Sequence, residues 1–393
     1  MIFNTWDYYL LFLLPCAILF RAASRPFRPW VIFFSGSLFF AYFSYTQLGG
    51  LVGVACLLIF LWESFVSRFY NPVSWFCRVG VTQTVLILVV FKYRNFLTGL
   101  WWPDPLHNPL FWKAAFLPLG VSFFTFEFIH YAVDRYRDKT EAGTLGEYLA
   151  FILFFPTMVA GPIKRYQDFL PKLRSVSAEW ALEWQRGITR ILAGLAKKFC
   201  IADLLTAYTS HLNMADIARA NRAVLPLWLL AYGVKIYVDF SAYSDIAIGS
   251  ARLFGIRVPE NFDWPYLQTN IAQFWRHWHM SLTSWLMDYT YIPLGGSRAA
   301  AGRVYANVLV TMFISGLWHG AGLNFIVWGL WHGLLLVIHR VWRRSRPARE
   351  NPAPPRSQAL AWLATFVPVN LGWAFFCMDL KTAIYFFHRL LIG

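Results

Sequence analysis

The chain has 393 residues, 58% of them hydrophobic and only 14% charged. A soluble domain carries about 25% charged residues, so this composition excludes an ordinary water-facing surface. The net charge of +15 does not imply nucleic acid. The basic residues lie in short segments between apolar runs, and no zinc-finger or RNA-binding pattern accompanies them.

The apolar runs are long and continuous rather than short and alternating. An all-α polytopic membrane protein is therefore expected, not a barrel. In chain order the candidate spans are Tyr8–Phe20, Trp30–Thr46, Leu48–Val66, Val79–Phe91, Phe111–Val133 and Tyr148–Ala160. A polar stretch follows, and then Ile188–Ala207, Leu225–Ser250, Val304–Leu317, Leu323–Ile338, Ala359–Phe376 and Thr382–Leu391. Several are short, which predicts tilted, re-entrant or broken helices, about eleven in all. Asp7, not a basic region, precedes the first run, which reads as a retained span rather than a cleaved signal.

Orientation follows from Lys and Arg. Arg21, Arg25 and Arg28 place the first loop in the cytoplasm, as do the basic residues of Lys164–Arg190 and of the proline-rich stretch Arg340–Arg356. The tripeptide Trp-His-Gly occurs at Trp318–Gly320 and Trp331–Gly333, but this is no duplicated bundle. One domain, 1–393, is expected. The five cysteines, Cys16, Cys56, Cys77, Cys200 and Cys377, form no CxxC and read as small buried residues.

Ionisable residues are costly in lipid, so each one is a candidate for function. Lys235 and Asp239 are four apart and share a helix face with Tyr243, which predicts a mutually neutralising pair. Arg257–Tyr266 contains two prolines and reads as a loop. In Phe274–Trp285, Trp275 and His279, and likewise Trp278, Leu282 and Trp285, recur at helical spacing. Mixed polar and aromatic faces predict a helix packed inside protein. On that helix His277 and His279 point about 200° apart, so they do not form a chelating pair. No metal site is expected. The segment Ser315–Gly322 sets His319 among glycines with Trp318 as a wall. Burial there is expected to keep the imidazole neutral, as a base. His332 reads as a packing or interhelical residue. No Gly-x-Ser-x-Gly elbow, Walker loop or His-Glu-x-x-His pattern is present, which removes support for serine nucleophiles, nucleotide hydrolysis and zinc.

Four stretches are more distinctive: Tyr148–Tyr166 with Gly161-Pro162-Ile163; YVDFSAYSDIAIG at Tyr237–Gly249; PENFDWPY and FWRHWHMSLTSWLMDYTYIPLGGSR within Pro259–Arg298; and SGLWHGAGLNFIVWGLWHG at Ser315–Gly333. With these the chain resembles the membrane-bound O-acyltransferases, in particular their alginate O-acetylase branch, and residues 237–333 are the most specific region. Ala242, His277 and Cys377-Met378 depart from the residues usual in that branch.

The resemblance implies a ring of helices around a central tunnel, His319 as the invariant histidine and His279 as the second histidine, both catalytic. Substrate-binding expectations fall on Trp318, Trp275, Arg276, Trp278, Asp245 and Tyr243. It implies acyl transfer, acetyl foremost, to the hydroxyl of an extracytoplasmic polysaccharide or partner protein. No bound cofactor is expected, and the donor substrate is acetyl-CoA or another cytoplasmic acyl thioester. The implied setting is the bacterial inner membrane, with membrane lipid and a periplasmic or extracellular acetylation protein as partners. The rival readings are D-alanyl transfer to teichoic acid and a non-catalytic transporter or flippase.

Overall fold

The computed structural model describes residues 5–48, 58, 61, 74–102, 120–175, 179–345 and 355–392. Within them every regular element is helical, and the one strand-like feature is an isolated antiparallel bridge between Phe262 and Trp278. The expected span Leu48–Val66 falls outside the described residues except at Leu48, Leu58 and Leu61. So do the first part of Phe111–Val133, Cys56, and Arg346, Pro347, Arg349, Pro352 and Pro354 of the basic stretch.

The chain divides into two compact units: Met1–Leu195 with Tyr243–Pro259, and Ala196–Ala242 with Glu260–Gly393. The first unit holds α1 (Leu14–Ala22, entered through a π-helical turn at Tyr8–Leu13), α2 (Arg28–Leu48), α3 (Ser74–Leu88) and α4 (Val121–Tyr136). It continues with α5 (Leu145–Ile152), α6 (Tyr166–Arg174), most of α7 (Trp180–Lys197) and the end of α8 (Leu225–Leu253). Its core is aromatic: Phe20, Phe154, Phe155 and Phe254 meet edge to face, as do Tyr131 and Tyr166. Two ion pairs hold buried charged groups there. Lys164 reaches Glu127 at 2.5 Å, and Asp245 holds Arg190 at 2.6 Å.

The expected span Tyr148–Ala160 does not form. A capping box between Thr144 and Glu147 starts α5, which ends at Ile152, and turns follow to Gly161. Pro156 lacks the amide donor and pushes Phe155 out of helical geometry. Leu153, Phe154 and Phe155 are fully buried, so this irregular backbone is packed within protein rather than set against lipid.

The second unit contains α8 up to Ala242, α9 (Ile271–His277), α10 (Met280–Leu286), α11 (Ala301–His319), α12 (Leu323–Arg344), α13 (Pro355–Cys377) and α14 (Leu380–Leu391). Among the described residues three helical stretches are long and apolar enough to cross a membrane: Arg222–Leu253, Leu323–Arg344 and Arg356–Cys377. Twenty-two residues rise about 33 Å, against a hydrocarbon layer of about 30 Å. Leu227, Leu334, Ile338, Leu363 and Val367 on these helices are exposed, an outward apolar surface suited to lipid. The inward faces pack Trp275, Trp278, Trp328 and Trp373 into one core with Phe274 and Phe386.

The predicted Lys235–Asp239 pair does not form. Asp239 instead lies 2.9 Å from Lys198, which also holds Asp203 at 2.7 Å, and Lys235 donates to the Thr209 hydroxyl at 3.2 Å. The i,i+4 spacing puts the two side chains on one face, but partners from a neighbouring segment meet them first.

Candidate active site

The two predicted catalytic histidines lie in the second unit and are joined through one indole. Trp318 stands between them, its ring centroid 6.0 Å from that of His279 and 4.8 Å from that of His319. His319 is the last residue of α11. Trp328 from α12 and Phe376 from α13 meet its ring edge to face, at 5.0 and 5.1 Å. The imidazole therefore has three aromatic walls. It is half-buried rather than sealed. The helix ends at His319, and the following Gly320-Ala-Gly322 contributes no bulky side chain to cover it. At Gly320 a Cβ would lie 2.0 Å from the Phe325 ring, so any side chain here would force that ring to move.

His279 is fully buried, and among the described residues neither ring nitrogen has a hydrogen-bond partner. Phe240 meets its ring edge to face at 4.7 Å. A neutral imidazole has one donor and one acceptor. Leaving either unmet in the interior costs about 1–3 kcal/mol, a cost that a bound polar group would offset.

The single helix expected through Phe274–Trp285 is broken at this residue. Trp278 is extended, His279 takes the left-handed conformation with φ 44°, and α10 begins at Met280. The cause lies in the Arg257–Tyr266 loop. Asp263 N–H donates to the His277 carbonyl at 3.1 Å, and Met280 N–H donates to the Asn261 carbonyl at 2.9 Å. Asn261 also accepts from the Ser281 hydroxyl at 2.6 Å. These bonds satisfy the backbone where the helical ladder is lost. A left-handed histidine is uncommon, and such strain persists only where the surroundings hold it. Here the break separates His279 from the α9 side chains and turns it toward Trp318.

The other predicted residues divide. Trp275 and Trp278 are buried in the core of the second unit, Trp278 packed on Phe274 and Tyr237, whereas Arg276 is exposed. Tyr243 and Asp245 belong to the first unit. Tyr243 is part of its core, and Asp245 is engaged by Arg190. His277 contacts the Gln273 carbonyl at 2.7 Å. His332 is fully buried among Phe274, Trp275 and Trp328, and among the described residues neither nitrogen has a hydrogen-bond partner, so it packs there without an interhelical polar contact. Sequence reasoning missed Trp328, Phe376 and Phe240. Trp328 and Phe240 carried a signal, through their places in the Ser315–Gly333 and Tyr237–Gly249 stretches. Among the described residues no three His, Cys, Asp or Glu side chains are grouped to hold a metal ion.

A family model described as MBOAT, membrane-bound O-acyltransferase family, matches residues 144–378. The chain is 34% identical to the probable alginate O-acetylase AlgI of Pseudomonas putida over 391 residues, covering 96% of this chain and 77% of that relative. It is 38% identical to the protein of the same description in Pseudomonas aeruginosa over 309 residues, covering 76% of this chain and 56% of the relative. A peptidoglycan O-acetyltransferase of Helicobacter pylori is 33% identical over 345 residues, covering 78% and 62%. The chain thus spans a little over half the length of the second relative.

Proposed function

Because this chain belongs to the membrane-bound O-acyltransferase family, we propose that it moves an acyl group, acetyl foremost, from a cytoplasmic thioester such as acetyl-CoA to the hydroxyl of a polymer outside the membrane or of a partner protein serving that polymer. Relatives described as alginate and peptidoglycan O-acetylating enzymes support a polysaccharide acceptor. The proposed setting is a bacterial inner membrane, with about eleven spanning or re-entrant helices ringed around a tunnel.

The observation that carries the reading is the aromatic enclosure of His319 beside an unpartnered His279. In the reaction His319 accepts the proton of the attacking hydroxyl. The oxygen bonds to the thioester carbonyl carbon, the carbon–sulfur bond breaks, and the proton leaves with the thiol. General-base help of this kind contributes about 10²- to 10⁴-fold in rate. His279 donates its N–H to the carbonyl oxygen as negative charge builds there, or to the donor as it is positioned. Trp318, between the two rings, sets their separation and keeps water from the reacting carbon.

Replacing His319 by Ala or Gln tests this directly. Acyl incorporation into the cell's polymers, measured at matched membrane expression, is expected to fall at least about a hundredfold. Unchanged incorporation ends the proposal. Competing acetyl-CoA against a D-alanyl carrier thioester identifies the donor, and uptake of a solute with no thioester consumed would favour transport.

A further inference from the structure

In the first unit the turn between α1 and α2 brings Arg25 and Arg28 to the wall of an open cleft of about 620 Å³, whose lining also includes Trp30, Leu145, Arg174 and one carboxylate, Glu147, which Arg174 neutralises. The three arginines differ in their partners. Arg174 is engaged by Glu147 and Glu141, with contacts of 2.6 Å to each. Arg25 and Arg28 meet no carboxylate among the described residues. Arg28 gives its Nε to the Ala23 carbonyl at 3.3 Å and lies 5.6 Å over the Phe20 ring, and among the described residues its terminal amino groups are unengaged.

The placement of these charges is electrostatically costly. They stand at the start of α2, whose first turn holds no acidic residue. A helix start already carries about half a positive charge, so cations there are unfavourable and an anion is favoured. The rim is apolar as well: Trp30 and Leu145 are exposed. Exposed aromatics beside arginines are the residues of a membrane–water boundary, and the same arginines assign this loop to the cytoplasmic side. A ligand that satisfies both features has a phosphate and hydrocarbon in one molecule. We infer that this cleft binds the headgroup of an anionic phospholipid of the cytoplasmic leaflet, its phosphodiester held by Arg25 and Arg28 and its glycerol and first methylenes against Trp30 and Leu145. A soluble phosphate would meet the charge but leave the apolar rim uncovered.

The test uses the full chain purified in detergent, with phosphatidylglycerol and phosphatidylcholine of identical acyl chains titrated and bound lipid counted by native mass spectrometry. The wild-type protein is expected to retain phosphatidylglycerol preferentially. The R25Q/R28Q variant is expected to bind it about twenty-five-fold more weakly, about fivefold for each arginine, with phosphatidylcholine binding unchanged. R25K/R28K keeps the charge and is expected to keep most of the preference, which separates lost charge from a misfolded loop. Equal phosphatidylglycerol affinity in the wild-type protein and R25Q/R28Q would overturn the assignment. So would displacement of the lipid by sn-glycerol 3-phosphate at comparable affinity, since the phosphate alone would then suffice.

Discussion

Gly316→Ala offers a sharp test of how the site is held together. Helices α11 and α12 cross with Gly316 and Gly329 face to face. A Cβ built on Gly316 would lie 2.2 Å from the Phe325 carbonyl oxygen and 3.1 Å from the Gly329 Cα, and one on Gly329 would lie 2.2 Å from the Met312 carbonyl oxygen. Ordinary contact begins at 3.4 Å, so one methyl group forces the two backbones apart by about 1 Å, a shift that in active sites can cost about 10²-fold in rate. His319 stands one turn beyond Gly316 on the same helix, and its wall Trp328 adjoins Gly329. The shift therefore opens the His319–Trp328 contact. Intrinsic helix propensity argues the other way, since Ala is favoured over Gly by about 1 kcal/mol within a helix. The clash wins because it is against backbone, which has no rotamer to escape into, and overpacking costs about 1–3 kcal/mol. Acyl incorporation is expected to fall about a hundredfold with a lower Tm in detergent. Gly302, on the same helix, has nothing among the described residues within 4 Å of its added Cβ, so Gly302→Ala serves as the control and is expected to leave both measurements near wild type. Wild-type activity and Tm in Gly316→Ala would refute the close-crossing argument.

Other predictions follow from single groups. The left-handed φ of His279 tolerates asparagine better than a β-branched residue. His279→Asn is expected to keep its Tm while losing acyl transfer, whereas His279→Val is expected to lose about 1–3 kcal/mol of stability as well; equal Tm values for the two would count against the strain. At Glu183, burial raises the carboxyl pKa, but hydrogen bonds and charge from Arg257 and Arg252 outweigh it and hold the pKa low. Glu183→Gln leaves those cations uncompensated and is expected to cost about 2 kcal/mol, read by chemical unfolding. The Arg174 hydrogen bond likewise holds the Glu147 carboxyl below its usual range. Its contribution is full above the unfolded pKa of about 4.3 and disappears as pH falls through the lower folded value. Arg174 is 45% exposed, so solvent screening limits the pair to about 1 kcal/mol. The Tm gap between wild type and Glu147→Gln is expected at pH 6 and to narrow as pH falls below the unfolded pKa; a gap independent of pH would contradict the assignment.

The sequence by itself determined the class and the neighbourhood of the chemistry. Apolar runs such as Leu225–Ser250, Leu323–Ile338 and Ala359–Phe376 predict helices because a lipid environment demands that backbone groups be satisfied within the segment, and α8, α12 and α13 occupy those positions. The glycine-flanked Trp318-His319 pair stood out for the same local reason: small residues mark a close approach. Tertiary structure decided what depends on distant residues. Nothing in Phe274–Trp285 signals a helix break, for no Gly or Pro lies there. The break at His279 exists because Asn261 and Asp263 supply replacement hydrogen bonds. Asp239 pairs with Lys198 instead of Lys235, and Phe240, Trp328 and Phe376 become walls of the site, because the backbone path, not sequence spacing, sets which side chains come within reach.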